Sequence, residues 1–430
     1  MLTKHETVSW ACRTNIYEVN LRQYTPEGTI NAFRSHLTRL YDMGVEVLWF
    51  MPLTPISVKN RKGTLGSYYA CSSYTSINPE YGTREDFRLL VVEAHELGMK
   101  VIIDWVANHT GCDHEWTTSN PEFYKVNDQG EFYDAHGWDD VIDLDYSNHD
   151  MRTTMLSAMY KWIVDFDIDG FRCDMAMLTP DDFWHQARTQ LDRCKPLFWF
   201  AELDPLEHPS YMTVFDTAYT WRWMHATQEF RSNDSHHIHL LREVLNVYHH
   251  APFSDSCLAW FTSNHDENSW NGTEYEKYEE MAIPLAVFSA TWKGIPLLYS
   301  GQELPNHKRL SFFERDTIEW TTAPSLHEFY RSLFELRRKH EAFVCSADSD
   351  NCQPVHNSVD HHVLSFIRSF GEDQVLVIIN FSVYALSAVQ VDHKMIRGSL
   401  TEWFSSGTKN FDDHPQYFDL PAWGFQVWVK

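Results

Sequence analysis

The stretch Gly170-Phe171-Arg172-Cys173-Asp174 follows an apolar helical run over 155–166 and predicts a short strand that ends in charged residues. Alternate residues of a strand point to the same side, so Arg172 and Asp174 face one compartment while Phe171 and Cys173 face the other. A guanidinium beside a carboxyl group favours the ionised carboxylate at neutral pH, which is the state that a nucleophile needs. The stretch alone is equally compatible with a structural ion pair that closes the end of a strand.

Three other stretches have the same form, a run that favours a β-strand followed by acidic or histidine residues. They are VIIDWVANH at 101–109, LFWFAE at 197–202 and WFTSNHD at 260–266. The active sites of (β/α)8 barrels are built from side chains at the carboxyl ends of several strands. The repetition therefore favours an active site over a set of isolated ion pairs.

The remainder of the first 342 residues alternates strand and helix patterns. Strands are predicted at 15–20 and 45–51, with a helix between them that Thr29 would cap, and also at 214–216 and 295–299. Helices are predicted over 235–249 and 274–292, among others. Counted with the four charged stretches, the strands number eight, which predicts an α/β fold with a closed (β/α)8 TIM barrel.

Two segments depart from the barrel pattern. Residues 110–147 show no clear periodicity and are predicted to form a small inserted subdomain after strand 3, so that the barrel comprises 1–109 and 148–342. Alternating runs such as HVLSFIR at 362–368 and VLVIINF at 375–381 predict a C-terminal antiparallel β-sandwich domain over 343–430.

Composition narrows the classes of partner. A net charge of −25 argues against nucleic acid or an anionic membrane as a partner, and it suits a neutral substrate. Aromatic residues make up 15% of the chain and could stack on sugar rings, although most are expected in the core. The eight cysteines have no paired or zinc-binding spacing, and the N-terminus lacks an apolar signal core, so a reduced, cytoplasmic protein is expected.

Four stretches, in order, resemble the motifs of glycoside hydrolase family 13, the α-amylase family. They are DWVANH at 104–109, GFRCD at 170–174, AE at 201–202 and SNHD at 263–266. Supporting similarity lies at 44–52, 81–83 and 294–303, and the match runs through most of residues 13–340. Each motif alone is weak, but four in order at suitable strand ends are a specific signal.

The resemblance implies a role for each of seven residues. Three carboxyl groups would carry the chemistry: a nucleophile at Asp174, a general acid/base at Glu202 and a supporting carboxylate at Asp266. Four residues would bind or orient, namely Arg172 beside the nucleophile, His109 and His265 at sugar hydroxyls, and Tyr69 stacked on the sugar.

Double displacement at a glycosidic bond needs one ionised and one protonated carboxyl group, roughly 5 Å apart. Arg172 is expected to keep Asp174 ionised. Glu202 follows an aromatic run, so partial burial is expected to raise its pKa and keep it protonated.

The sequence differs from the family pattern at three places. Ser73 stands where the family often has an Asp that supports the tyrosine, and Met177-Leu178 replace a Lys-His pair that contacts glucose. The inserted segment is short and has no calcium loop of the EF type. No cofactor is expected to be required, although Asn108 and Asp143 are candidate calcium ligands; the alternative for Asn108 is a scaffold role.

The sequence is therefore interpreted as that of a retaining α-glucan hydrolase that cleaves α-1,4 bonds of maltodextrin-like oligosaccharides in the cytoplasm. An α-glucosidase, a transglycosylase or an isomerase on the same scaffold would use the same carboxylates. A non-catalytic glucan-binding protein is a further alternative, but it predicts the loss of at least one of the three carboxylates, and all three are present.

Overall fold

The computed structural model describes residues 4–232, 237–344, 351–392, 396–412 and 414–430. Eight parallel strands are hydrogen-bonded in the order β6-β5-β4-β3-β2-β1-β8-β7, and a parallel bridge between Tyr219 and Ala259 joins the two ends of this sheet. The predicted (β/α)8 barrel is thus confirmed. Its strands are β1 Ile16–Val19, β2 Val47–Phe50, β3 Lys100–Trp105, β4 Gly170–Cys173, β5 Phe198–Ala201, β6 Thr217–Ala218, β7 Ala259–Trp260 and β8 Ile295–Tyr299.

Helices surround this barrel and connect its strands. In chain order the principal α-helices are Ile30–Arg34, Leu37–Met43, Arg84–Glu96, His149–Phe166, Asp181–Leu191, Trp221–Arg231, His239–His249, Glu274–Tyr278, Ala282–Thr291 and His327–Lys339. The chain between β5 and β6 forms a 3-10 turn, Pro209–Thr213.

Local sequence signals explain several helix boundaries. The Thr29 hydroxyl accepts a hydrogen bond from the Ala32 amide, as expected for an N-cap. The helix predicted over 274–292 is interrupted at Glu279, whose φ of 48° lies in the left-handed region. The helix predicted over 235–249 begins at His239, and Ser235 lies outside the described residues.

The sixth strand begins after the predicted stretch 214–216. Asp216 immediately precedes the strand, and its carboxylate accepts hydrogen bonds from the Trp199 amide and the Arg188 guanidinium, both at 2.8 Å. This residue therefore anchors the start of β6 to the neighbouring strand.

Strand alternation separates the interior of the barrel from its outer surface. Ile16, Val47, Ile102 and Phe198 pack together inside the barrel. Two residues further along the same strands, the inward side carries Glu18, Trp49, Asp104 and Phe200. Because every second side chain of a strand points inward, this alternation brings charged groups to the carboxyl ends of the strands.

The segment between β3 and helix His149–Phe166 contains an antiparallel pair of short strands, His109–Gly111 and Val141–Asp143. An ion pair of 2.9 Å joins Lys62, in the loop after β2, to Asp140 of this segment. The Asn60 side chain also donates to the Asp139 carbonyl oxygen at 3.1 Å. The loop and the inserted segment therefore form one continuous rim.

The C-terminal region contains two antiparallel sheets that pack face to face, as expected for a β-sandwich. Arg368 joins it to the barrel by donating to the Trp292 carbonyl oxygen at 2.8 Å, next to an edge-on contact between Trp292 and Phe366. The larger sheet contains Cys352–Pro354, Val363–Phe370, Asp373–Asn380, Phe425–Val429, Gly398–Glu402 and Thr408–Phe411; the smaller contains Leu386–Val391 and Gln416–Leu420.

In the part of the chain that the structure describes, no helix combines the length and the apolar character that a membrane span requires.

Candidate active site

Arg172 is the centre of a buried cluster of carboxyl groups at the carboxyl end of the barrel. Its Nη1 donates to Asp104 Oδ1 and to Asp174 Oδ1, each at 2.9 Å. Its Nη2 lies 2.8 Å from Glu202 Oε2. The guanidinium is fully buried, so a single cation is shared by carboxyl groups from β3, β4 and β5.

The pKa shifts of Asp174 and Glu202 run opposite to the expectation. Burial and the negative charge of Glu202 raise the pKa of Asp174 well above its ordinary value. Burial also raises the pKa of Glu202, but Arg172 and a hydrogen bond from the Met175 amide outweigh burial and lower it. Arg172 contacts both carboxyl groups instead of Asp174 alone, so the expected rise in the pKa of Glu202 is wrong, while the position of the proton during the reaction stays a prediction.

Asp266 follows β7 and lines the same cavity as Asp174 and Glu202, with its side chain 40% exposed. The neighbouring His265 is only 1% exposed, with its Nε2 3.3 Å from Asp266 Oδ2 and 2.7 Å from the Tyr69 hydroxyl. His265 thus lies behind the residues that face the cavity, and its contact with a sugar stays a prediction.

Asp104 and His265 hold Tyr69 in place. The residue at the position where the family pattern has a supporting Asp, Ser73, does not hold it. The Tyr69 hydroxyl donates to Asp104 Oδ2 at 3.1 Å, and its ring stacks on His265 with centroids 5.4 Å apart. Ser73 instead donates to Glu115 Oε1 at 3.1 Å. Asp104 and His265 therefore fix the Tyr69 ring at the wall of the cavity.

His109 begins the short strand pair of the inserted segment and faces the cavity from that side. Its ring meets the edge of Trp138 at a centroid distance of 5.4 Å. Burial lowers the pKa of His109 to about 4, so this imidazole is neutral near pH 7. A neutral imidazole can exchange hydrogen bonds with an uncharged hydroxyl group.

These residues surround a cavity of about 490 Å³, which Tyr69, His109, Asp174, Glu202 and Asp266 all line. Five of the seven site residues expected from the sequence therefore reach one space, while Arg172 and His265 support it from behind.

Sequence reasoning missed an aromatic wall of this cavity. Trp270 lies on a π-helical turn, Glu267–Asn271, directly after Asp266, and its ring centroid is 5.4 Å from that of Phe312. Phe313 and Lys62 also line the cavity. These residues lie on loops without periodicity, and only the closeness of Trp270 to Asp266 in the sequence could have indicated one of them.

A family model described as the α-amylase catalytic domain matches residues 12–133 and 120–321. The chain belongs to this family, glycoside hydrolase family 13.

Relatives within the α-amylase family are similar at low sequence identity. α-Amylase MalA of Haloarcula japonica is 26% identical over 88% of this chain, and a cyclomaltodextrin glucanotransferase of Geobacillus stearothermophilus is 27% identical over 84%. The chain spans 56% and 55% of the lengths of these two relatives.

A solved maltogenic α-amylase, AmyB of Thermotoga neapolitana, superposes with a TM-score of 0.87 at 28% identity. That comparison covers 97% of this chain and 99% of the other. An α-amylase of Lactobacillus plantarum gives a TM-score of 0.86 at 27% identity, with the same coverage of both chains.

The candidate calcium ligands of this family member do not fit a divalent cation well. Asp143 Oδ2 is 3.1 Å from the ammonium group of Lys125, which already supplies a positive charge at this carboxylate. The Asn108 amide nitrogen faces His109 Nδ1 at 3.4 Å. Asp143 instead lies in a group with Asp134 and His136, whose possible ligand atoms are within 4.8 Å of one another.

Proposed function

We propose that this chain is a retaining α-glucan hydrolase that cleaves α-1,4-glucosidic bonds of maltodextrin-like oligosaccharides. The observation that carries the proposal is the convergence of Asp174, Glu202 and Asp266 on one cavity. Its family membership and the names of its relatives support the same substrate class.

In the proposed reaction Asp174 attacks the anomeric carbon while Glu202 gives its proton to the leaving glycosidic oxygen. A glycosyl-enzyme ester forms and the shortened glucan leaves. Glu202, now ionised, removes a proton from water, which attacks the anomeric carbon and releases Asp174. The negative charge of Asp266 would stabilise the positive charge that develops on the sugar in both steps.

This reaction requires Glu202 to carry the proton and Asp174 to be ionised when substrate is bound, although burial raises the pKa of Asp174 and Arg172 lowers that of Glu202. The hydrogen bond from Arg172 Nη1 to Asp174 Oδ1 favours the ionised form of that carboxyl group.

The cavity supports an uncharged sugar ligand. Apolar faces of sugar rings can lie on Tyr69, Trp270 and Phe312, while His109 offers a neutral polar group. The expected contact of His265 with a sugar hydroxyl is not part of this proposal, because the Tyr69 hydroxyl occupies its Nε2.

The proposed reaction uses side chains alone. Calcium at Asn108 and Asp143 is left out of it because Lys125 already balances the charge of Asp143. The cytoplasm is the proposed location, and its support is the scattered spacing of the cysteines in the sequence.

The test is a product time course on maltoheptaose with the unchanged protein, Glu202→Gln, Asp174→Asn and the control Glu207→Gln. Glu207 lies five residues after Glu202 on the exposed surface, so its replacement should leave the rate unchanged. Loss of the acid/base group is expected to slow hydrolysis about 10²- to 10⁴-fold. Proton NMR of the first product should show the α-anomer.

Other outcomes would redirect the assignment. Glucans longer than maltoheptaose would favour a transglycosylase, an activity named for the Geobacillus stearothermophilus relative. Unchanged maltoheptaose together with measurable binding would favour a non-catalytic glucan-binding protein. A β-anomer as first product would contradict double displacement.

A further inference from the structure

Glu18 is a fully buried carboxyl group inside the barrel that the reaction above does not use. It lies on β1, opposite Trp49 of β2 and Tyr299 of β8. Its Oε1 accepts hydrogen bonds from the His265 amide at 3.3 Å and from His265 Nδ1 at 2.5 Å. In the described part of the chain Oε2 has no hydrogen-bond partner, so His265 is the main contact of this carboxylate.

Hydrogen bonds connect this pair to the centre of the active site and define where the protons lie. Arg172 donates to both oxygens of Asp104, which therefore accepts. The Tyr69 hydroxyl has one proton and donates it to Asp104 Oδ2. His265 Nε2, 2.7 Å from that hydroxyl, must then donate to it.

Nδ1 of the same ring donates to the carboxylate of Glu18, so both ring nitrogens carry a proton. His265 is thus an imidazolium between two acceptors, with the Asp266 carboxylate 3.3 Å from its Nε2.

We propose that Glu18 is a positioning residue that keeps His265 doubly protonated and thereby fixes the Tyr69 hydroxyl and the Asp266 carboxylate for catalysis. This inference rests on the proposed function for its catalytic part. Glu18 does not line the cavity, so it acts through His265 and not on the sugar itself.

The electrostatic surroundings agree with this arrangement. Burial lowers the pKa of His265, but the charges of Asp266 and Glu18 outweigh burial and the opposing charge of Arg172 and raise it to about 9. Burial raises the pKa of Glu18 above its ordinary value, and His265 and Arg172 offset only part of that rise. The groups that face this pair from the surrounding elements are Tyr69, Asp104, Arg172, Glu202, Tyr219, Asp266 and Tyr299.

The decisive measurement is an NMR titration of the histidine ring nitrogens in the full chain without substrate. The signal of His265 is assigned by its loss in His265→Gln. In the unchanged protein its ring should stay doubly protonated until the pH approaches about 9. In Glu18→Gln the titration midpoint should fall by about one pH unit or more, because the neighbouring negative charge is lost.

The matched control is Glu274→Gln. Glu274 is also a buried carboxyl near the barrel rim, but it accepts a hydrogen bond from Thr262 and is not a neighbour of His265. This control should leave the His265 midpoint unchanged. An equal shift in both variants, or a midpoint below about 6.5 in the unchanged protein, overturns the proposal.

Activity gives a second readout. With maltoheptaose, the alkaline limb of the kcat profile should move to lower pH in Glu18→Gln by the same amount as the His265 midpoint. A uniform loss of kcat at every pH would assign Glu18 a merely structural role and overturn the proposal. If the unchanged protein does not hydrolyse maltoheptaose, the proposed function fails, while the NMR titration still decides whether Glu18 controls His265.

Discussion

Arg172→Lys separates the positive charge of Arg172 from the shape of its guanidinium group. The guanidinium reaches Asp174 with Nη1 at 2.9 Å and Glu202 with Nη2 at 2.8 Å. A lysine has a single nitrogen and a shorter reach, so it keeps the charge but gives up at least one of these contacts. A hydrogen bond to a charged group contributes about 1.5–3 kcal/mol.

This loss corresponds to a fall in kcat/KM of about 10- to 150-fold. The assay is initial-rate hydrolysis of maltoheptaose, with thermal unfolding measured on the same samples. Arg331→Lys is the control, because Arg331 is 45% exposed and pairs with Glu328 on the surface. A fall of less than about threefold in Arg172→Lys would show that charge alone is sufficient and would refute the reasoning.

Three further changes test the architecture around the site. Gly170→Ala places a Cβ 2.0 Å from the Phe198 carbonyl oxygen, so β4 and β5 must separate. Urea denaturation should therefore show that the free energy of unfolding falls by about 1–3 kcal/mol or more. Arg368→Met removes the hydrogen bond to the Trp292 carbonyl oxygen that joins the C-terminal region to the barrel. The free energy of unfolding should fall by about 1–3 kcal/mol in the same urea measurement. An unchanged urea midpoint would mean that this junction does not support the fold. The raised pKa of His265 means that its ionisation stabilises the fold fully below pH 6.5 and loses this effect as the pH rises through about 9. Urea titrations from neutral to alkaline pH should therefore show a decline of about 3 kcal/mol that is absent in His265→Gln.

Much of the barrel and of its catalytic face could be predicted from strand periodicity. Residues at alternate positions of a strand share a side, and parallel strands end at the same face, so Asp104, Arg172, Asp174 and Glu202 could be expected to meet. The same rule applies to Glu18, but that residue lies within the first strand pattern and not after it. It therefore gave no visible strand-end signal.

Loop geometry accounts for what the sequence did not indicate. Trp270 and Phe312 come from connections after β7 and β8, and only the folded chain brings their rings within 5.4 Å. The lowered pKa of Glu202 depends on its contact with Arg172 Nη2, which no sequence pattern records. The start of β6 depends likewise on what the Asp216 carboxylate binds.

The ion pair between Lys62 and Asp140 has a consequence for the passage of ligands. Both residues border the cavity, and Lys62 is 38% exposed. The pair therefore joins the loop after β2 to the inserted segment on one side of the cavity. The side chain of Asp140 is only 7% exposed, so solvent reaches the pair from the lysine side, where added salt weakens the attraction. Rising ionic strength should therefore loosen this side of the entrance, while the hydrogen-bonded barrel strands beneath it stay in place.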